Sequence, residues 1–180
     1  WADYDNDGDL DLFIANHNHG AVNRLYQNNQ GIFTDVASSV GIVESGYSRA
    51  AAWADYDNDG DLDLYVCRGA SWQNQEDLFY QNNNGYFVNV ANSVGLNDTL
   101  YSMAVDWGDY DNDGDLDLFV STYDLQQNKL YRNDSGIFTD VSAETGLDNI
   151  EGICYCTACV DYDNDGALDL AIRRSEGYTN

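Results

Sequence analysis

The hexapeptide Asp-Tyr-Asp-Asn-Asp-Gly occurs four times in this 180-residue chain, beginning at Asp3, Asp55, Asp109 and Asp161. The copies lie 52, 54 and 52 residues apart, and self-similarity at a fixed period is the signature of a repeat architecture. The unit is longer than the hexapeptide. Small residues ending in tryptophan lead in, as in Ala50-Ala51-Ala52-Trp53 and Met103-Ala104-Val105-Asp106-Trp107, and an apolar run such as Leu62-Asp63-Leu64-Tyr65-Val66 follows. Then come Leu25-Tyr26, Phe79-Tyr80 or Leu130-Tyr131, a turn at Gly31, Gly85 or Gly136, and Phe33-Thr34-Asp35-Val36 or its counterparts at Phe87 and Phe138.

Each unit reads as four short strands, rich in Val, Ile, Tyr and Phe and bounded by Gly, Asn and Asp. Leu10-Asp11-Leu12-Phe13-Ile14-Ala15 is apolar on both faces apart from its acid, as a strand sandwiched between sheets requires. Only the tails at 37–40 and 142–145 suit a single helical turn. A period near 50 residues with four strands per unit fits propeller blades better than helical arrays. The expected fold is all-β: a β-propeller-type repeat array of four-stranded blades, about three and a half of them. Their expected bounds are 1–46 (first strand incomplete), 47–100, 101–152 and 153–180 (first two strands).

The acidic loops carry the chemistry. With Asp3 as position 1, Asp3, Asp5, Asp7 and Asp11 occupy positions 1, 3, 5 and 9, Asp9 takes position 7, and Gly8 takes position 6. That is the front half of an EF-hand loop, in which oxygens converge and the glycine makes the bend. The bidentate glutamate of position 12 is missing, since Ile14 stands there. The second loop offers Asp55, Asp57, Asp59, Asp61 and Asp63, and the third Asp109, Asp111, Asp113, Asp115 and Asp117. The fourth offers Asp161, Asp163, Asp165 and Asp169, with Ala167 at position 7. A backbone carbonyl ligand at position 7 would leave that side chain free to vary. Hard oxygen donors without His or Cys favour calcium, about four ions at one per loop, over zinc or copper. Two carboxylates about 4 Å apart repel by about 4 kcal/mol at an effective dielectric of 20. A solvated acidic turn is the competing interpretation, and four copies of one ligand spacing argue against it.

The run from Trp53 to Leu64, with its downstream Leu/Phe-Tyr-x-Asn and Gly-x-Phe segments, resembles the FG-GAP/VCBS repeat, in the version found in cartilage acidic protein and bacterial secreted relatives. The resemblance spans essentially the whole chain. It implies calcium in the loop joining the first two strands of each blade, held at positions 1, 3, 5 and 9. It also implies an extracellular, secreted setting, periplasm or cell surface included, and roles in adhesion or recognition. Propellers of the family usually close with more blades than this chain holds, so two alternatives stand: a segment of a longer protein, or self-assembly in which another chain completes the terminal blades, as paired halves or as an open fibre.

Composition narrows the remaining choices. Thirty-two acids against seven basic residues give a net charge of −25, which excludes nucleic acid as a partner because phosphate binding needs cations. The 43% hydrophobic and 13% aromatic content supplies a core, and no apolar run is long enough to span a membrane. The chain opens on Trp1 without a basic flank or apolar stretch, so no secretion signal is read, whether never present, removed or cropped. The loops hold 19 of the 32 acids.

Cys67, Cys154, Cys156 and Cys159 predict one or two disulfides, ahead of free thiols and of a Cys₄ zinc site. In a regular strand Cys154 and Cys156 share a face opposite Cys159. His17 and His19 read as an exposed polar loop, and Asp106 as a structural hydrogen-bond acceptor. Asn97-Asp98-Thr99 and Asn133-Asp134-Ser135 match the glycosylation sequon. No Ser/His/Asp spacing or phosphate loop is present, so no enzyme is expected. The expected function is a calcium-loaded adhesion or assembly module with a protein or glycan ligand. The rivals are a carbohydrate-binding or polysaccharide-active propeller and a fibre subunit.

Overall fold

A computed structural model describes residues 1–18, 20–70, 75–123, 126–147 and 153–175. His19, the tail of the histidine loop, lies outside them. The described chain is all-β, as expected. Its first sheet holds β1 (Leu12–Ile14), β2 (Arg24–Asn29) and β3 (Ile32–Asp35), extended by an isolated bridge between Ala2 and Asp11. The second is four-stranded: β4 (Ser48–Ala54), β5 (Asp63–Arg68), β7 (Leu78–Asn83) and β8 (Tyr86–Asn89) in that order. A short β6 (Gln75–Glu76) leaves it to pair with β9 (Thr99–Leu100), which precedes the third sheet. That third sheet repeats the order with β10 (Ser102–Gly108), β11 (Asp117–Thr122), β12 (Lys129–Asp134) and β13 (Ile137–Asp140). β14 (Ile153–Val160) and β15 (Asp169–Ser175) form the last pair. All pairings are antiparallel.

The sheets stack, β10 lying against β4 and β5, and β14 against β10 and β11. Every residue of β11 is buried, as are all of β5 but Arg68, which accounts for their near-continuous apolar runs. The seams between sheets are aromatic. Phe87, from β8, meets Tyr4 at 5.7 Å and Trp53 at 6.1 Å in the first seam. Phe138, from β13, meets Tyr56 at 5.9 Å, Phe79 at 5.8 Å and Trp107 at 6.1 Å in the second. In the third seam Leu130 replaces Phe79 and Cys159 replaces the tryptophan. These two, with Tyr110, Phe119, Leu147 and Leu170, line a cavity of about 220 Å³.

One-turn helices close the outer strands: a 3-10 turn at Ala37–Val40, α1 at Ala91–Val94 and α2 at Ser142–Thr145. Each ends on a left-handed glycine, Gly41, Gly95 or Gly146. At Gly41 and Gly95 a Cβ would also run into the backbone carbonyl of Phe87 or Phe138 in the next sheet. Glycine there serves both the cap and the seam.

Two expectations fail at the cysteines. None of the four forms a disulfide among the described residues, and the shared face of Cys154 and Cys156 is absent. A bulge after Cys154 shifts the register, so Cys154 is buried while Cys156 is exposed. The same bulge follows Ser48 in β4 and Ser102 in β10. Cys154 is thus the repeat counterpart of two buried serines. Its sulfur accepts a hydrogen bond from Asn128 Nδ2 at 3.4 Å, and Cys67 sits in the aromatic core. Burial pushes the Cys67 thiol well up, holding it protonated and unreactive. Asp106 behaves as expected: its oxygens accept from Trp107 N at 3.1 Å and Cys159 N at 2.6 Å, tying β10 to β14. Among the described residues no helix is long and apolar enough to cross a membrane.

Candidate metal centre

Each acidic loop joins the first two strands of its repeat, and its residue types fix its shape. The asparagine of the hexapeptide adopts a left-handed conformation in all four copies, with φ of 57–61° at Asn58, Asn6, Asn112 and Asn164. Asparagine is among the few residues that tolerate this. The following glycine also has positive φ, 92° at Gly8. These two reversals curl the loop around its first carboxylate. Asp3 Oδ1 accepts from Asp7 N at 3.0 Å and Oδ2 from Gly8 N at 2.9 Å. The same pair forms at Asp55, Asp109 and Asp161.

Position 9 opens the next strand and is buried at Asp11, Asp63 and Asp117. Asp63 accepts from Tyr56 N at 3.2 Å and from Asn82 N at 2.8 Å. Asp11 and Asp117 are held by the equivalent amides of Tyr4, Asn28, Tyr110 and Asn133. Despite these donors, burial pushes Asp63 up to about 7 and Asp117 to about 6, with nearby loop carboxylates adding to the rise. Asp11 is raised for the same reason. Burial disfavours the charged form of these carboxylates, and a cation placed among them would favour it.

Position 3 completes the cage. Asp5 Oδ2 accepts from Gln27 Nε2 at 2.6 Å, and Asp57 Oδ2 from Gln81 Nε2 at 2.7 Å. Their second oxygens, Asp5 Oδ1 and Asp57 Oδ1, are buried without a hydrogen-bond partner among the described residues, a costly state for a carboxylate oxygen. In all four loops, oxygens of positions 1, 3 and 9 lie within 4.8 Å of one another: Asp3, Asp5, Asp11; Asp55, Asp57, Asp63; Asp109, Asp111, Asp117; and Asp161, Asp163, Asp169. An orphaned buried oxygen aimed into an all-oxygen cluster fits a hard divalent cation.

The other two acids sit differently. At position 5, Asp7, Asp59, Asp113 and Asp165 each accept from the amide of position 7, at 2.9 Å in every loop. At position 7 the side chain turns to the outer hairpin. Asp9, Asp61 and Asp115 accept from the amides of Gln30, Asn84 and Ser135 at 2.7–2.8 Å. Asp61 and Asp115 also accept from the loop of the preceding repeat, through Asn6 Nδ2 at 3.0 Å and Asn58 Nδ2 at 3.3 Å. Ala167 can make neither contact. The third loop differs as well, since Arg132 replaces the glutamine and pairs with Asp134 at 2.9 Å.

Asn133 of the second sequon is buried, and its Nδ2 donates to Tyr56 O at 2.9 Å and Leu116 O at 3.1 Å. A glycan there would require unfolding of the seam, whereas Asn97 is exposed.

Stacked antiparallel sheets, each with a loop whose gathered carboxylates could hold a metal ion, define an all-β repeat protein. The FG-GAP-like repeat pattern matches residues 3–66, 69–120 and 109–172, and the chain belongs to that family. FG-GAP repeats imply propeller blades. Cartilage acidic protein 1 of Xenopus tropicalis is 28% identical over 177 residues, and that of Homo sapiens 27% over 183, each alignment covering 92% of this chain. The chain spans about a quarter of these relatives, 27% and 26% of their lengths.

Proposed function

We propose that this chain is a calcium-binding, non-enzymatic, extracellular β-propeller-type module serving adhesion, recognition or structural assembly, with blades bounded at 1–46, 47–100, 101–152 and 153–180. The observation that carries the reading is the pair of orphaned buried oxygens, Asp5 Oδ1 and Asp57 Oδ1, inside carboxylate triads. Positions 1, 3 and 9 supply the gathered carboxylates, position 5 a further one, and position 7 a backbone carbonyl. Calcium binds such oxygen sets with affinities of about 10⁻⁴–10⁻³ M in extracellular modules, which suits a chain loaded outside the cell.

Bound calcium neutralises charges that otherwise repel across each loop, and so stabilises the strand pair that the loop joins. Four ions would bring the formal charge from −25 to −17. At a hundredfold excess over Kd each site adds about 2.7 kcal/mol, so four independent sites add about 11 kcal/mol, comparable with the whole stability of a domain. Thermal melting with calcium and with chelator tests this. A large fall in Tm on chelation, with about four ions bound by calorimetry, is expected. A melting curve indifferent to chelator would overturn the reading.

The recognition role has support of its own at the opposite end of the sheets, where cationic and aromatic side chains meet.

A further inference from the structure

The chain holds seven basic residues against 32 acids, and a guanidinium that is not ion-paired is open to an anionic ligand. Arg24 pairs with Asp35, Lys129 with Asp98 and Asp140, and Arg132 with Asp134. Arg49, Arg68 and Arg173 have no carboxylate within ion-pair distance among the described residues, and of these Arg49 is the one set among an imidazole and tyrosine rings. It is the bulge residue of β4, so its side chain leaves the regular ladder. Its Nε donates to Gly69 O at 3.0 Å, and one terminal nitrogen donates to the Tyr101 hydroxyl and lies 3.2 Å from His17 Nε2. The guanidinium also sits 4.5 Å from the centroid of the Tyr101 ring, and that ring lies 4.5 Å from Tyr123 at an interplanar angle of 35°.

This cluster is remote from the acidic loops. β4 runs from Ser48 beside it to Ala54 beside the second loop, six steps of about 3.3 Å, or about 20 Å. Its key positions are also the ones the repeat leaves free. Arg49 corresponds to Met103 and Tyr155, and His17 to Gly69 and Tyr123, whereas the residues that build the seams recur. What varies between otherwise matched units is where individual function resides. The groups suit one kind of ligand: a guanidinium for a carboxylate, an exposed imidazole for a hydroxyl, and a half-buried phenol ring at Tyr123 for the apolar face of a sugar.

We propose that Arg49, His17 and Tyr123 bind a uronic-acid residue of an acidic polysaccharide, the carboxylate on Arg49, a hydroxyl on His17 and the ring face on Tyr123. The tyrosine face and the imidazole favour a sugar over an acidic peptide, since a peptide carboxylate would use the arginine alone. The site deepens the recognition reading above and does not depend on calcium.

The test is titration of the full chain, calcium-loaded, with trigalacturonate, neutral galactotriose and an Asp-rich peptide, followed by calorimetry and by the His17 ring NMR signals. Calcium content measured on the same sample separates a failure here from a failure of the calcium reading. Trigalacturonate is expected to bind and shift the His17 signals, galactotriose not to bind, and Arg49→Gln to weaken binding at least tenfold. His17→Ala, at an exposed position whose ring rests edge-on against Tyr47, should weaken it severalfold, and an unchanged Tm for this variant shows that the loss is one of binding. Binding that survives both substitutions would be contact through metal at the acidic loops and overturns the proposal. Equal or tighter binding of the peptide, or no binding of trigalacturonate, overturns it as well.

Discussion

Asp77 is the buried acid that the metal cages do not use, and replacing it tests how the seam between the second and third sheets is held. Its side chain accepts from Tyr65 OH at 2.8 Å, Arg68 N at 2.6 Å and Ser102 Oγ at 2.6 Å. Burial pushes its pKa up from 3.8 to about 7, against the lowering effect of these donors and of the Arg68 charge. In the folded protein the proton is therefore held up to about pH 7, while the unfolded chain releases it near pH 4. The fold binds more protons than the unfolded chain between these limits. The contribution is thus fully present below pH 4 and lost as pH rises toward 7. A rise of about three pKa units corresponds to about 4 kcal/mol, of which about 3 kcal/mol falls between pH 5 and pH 7.5.

The repeat supplies the control. The other two sheets carry Asn23 and Asn128 at this position, and Phe13 and Phe119 in place of Tyr65. Asp77→Asn combined with Tyr65→Phe recreates their arrangement and removes the Tyr65 hydroxyl together with the carboxylate it donates to. Urea unfolding of calcium-saturated parent and variant, at pH 5 and at pH 7.5, cancels the titration of the shared loops. The variant should gain about 3 kcal/mol on the parent over that interval. Parallel behaviour at both pH values would mean that Asp77 is already ionised in the fold at pH 5, and would refute the argument.

Calcium should displace protons: with Asp63 near 7 and Asp117 near 6 in the metal-free protein, loading at pH 6 should release at least about one proton and fewer at pH 8. Calorimetry in buffers of different ionisation enthalpy measures this, and a release that grows with pH would contradict it. Phe79→Ala, at a fully buried seam position, should cost about 3–5 kcal/mol, whereas Phe33→Ala, at a side chain 45% exposed, should cost less than half as much in the same urea titration. Gly95→Ala should destabilise more than Gly146→Ala by at least about 1 kcal/mol. Both have positive φ, but only Gly95 faces the Phe138 carbonyl, and equal losses would show that the contact is unimportant.

Much of this molecule is legible from its period. Four matched hexapeptides mark where the carboxylates gather, and the Gly-x-Phe segments mark the outer strands. The helical turns at Ala37–Val40 and Ser142–Thr145 follow from the glycines that end them; the matching turn at Ala91–Val94 carries the same signal in Gly95. What stayed hidden depends on contacts between units. The bulge after Cys154 reverses the expected facing of Cys156, and nothing local announces it. Asp61 and Asp115 receive amides from Asn6 and Asn58, 55 and 57 residues away, so their role beyond the backbone is invisible along the chain. The Asn133 sequon looks available as text, yet its amide is committed to Tyr56 across the seam. Asp77 stands out only beside Asn23 and Asn128, once the structure aligns the three positions.

The phenylalanines at the seams give the array a direction. Phe87 grows from the second sheet but fills the gap in front of it, and Phe138 does the same one step later. Each sheet is thus roofed by its successor, like overlapping tiles. Losing a neighbour on one side bares a greasy knob; losing one on the other opens a hollow. Damage to such an assembly has a handedness that a pile of self-sufficient layers would lack, and its two fracture surfaces would meet water, and one another, on unequal terms.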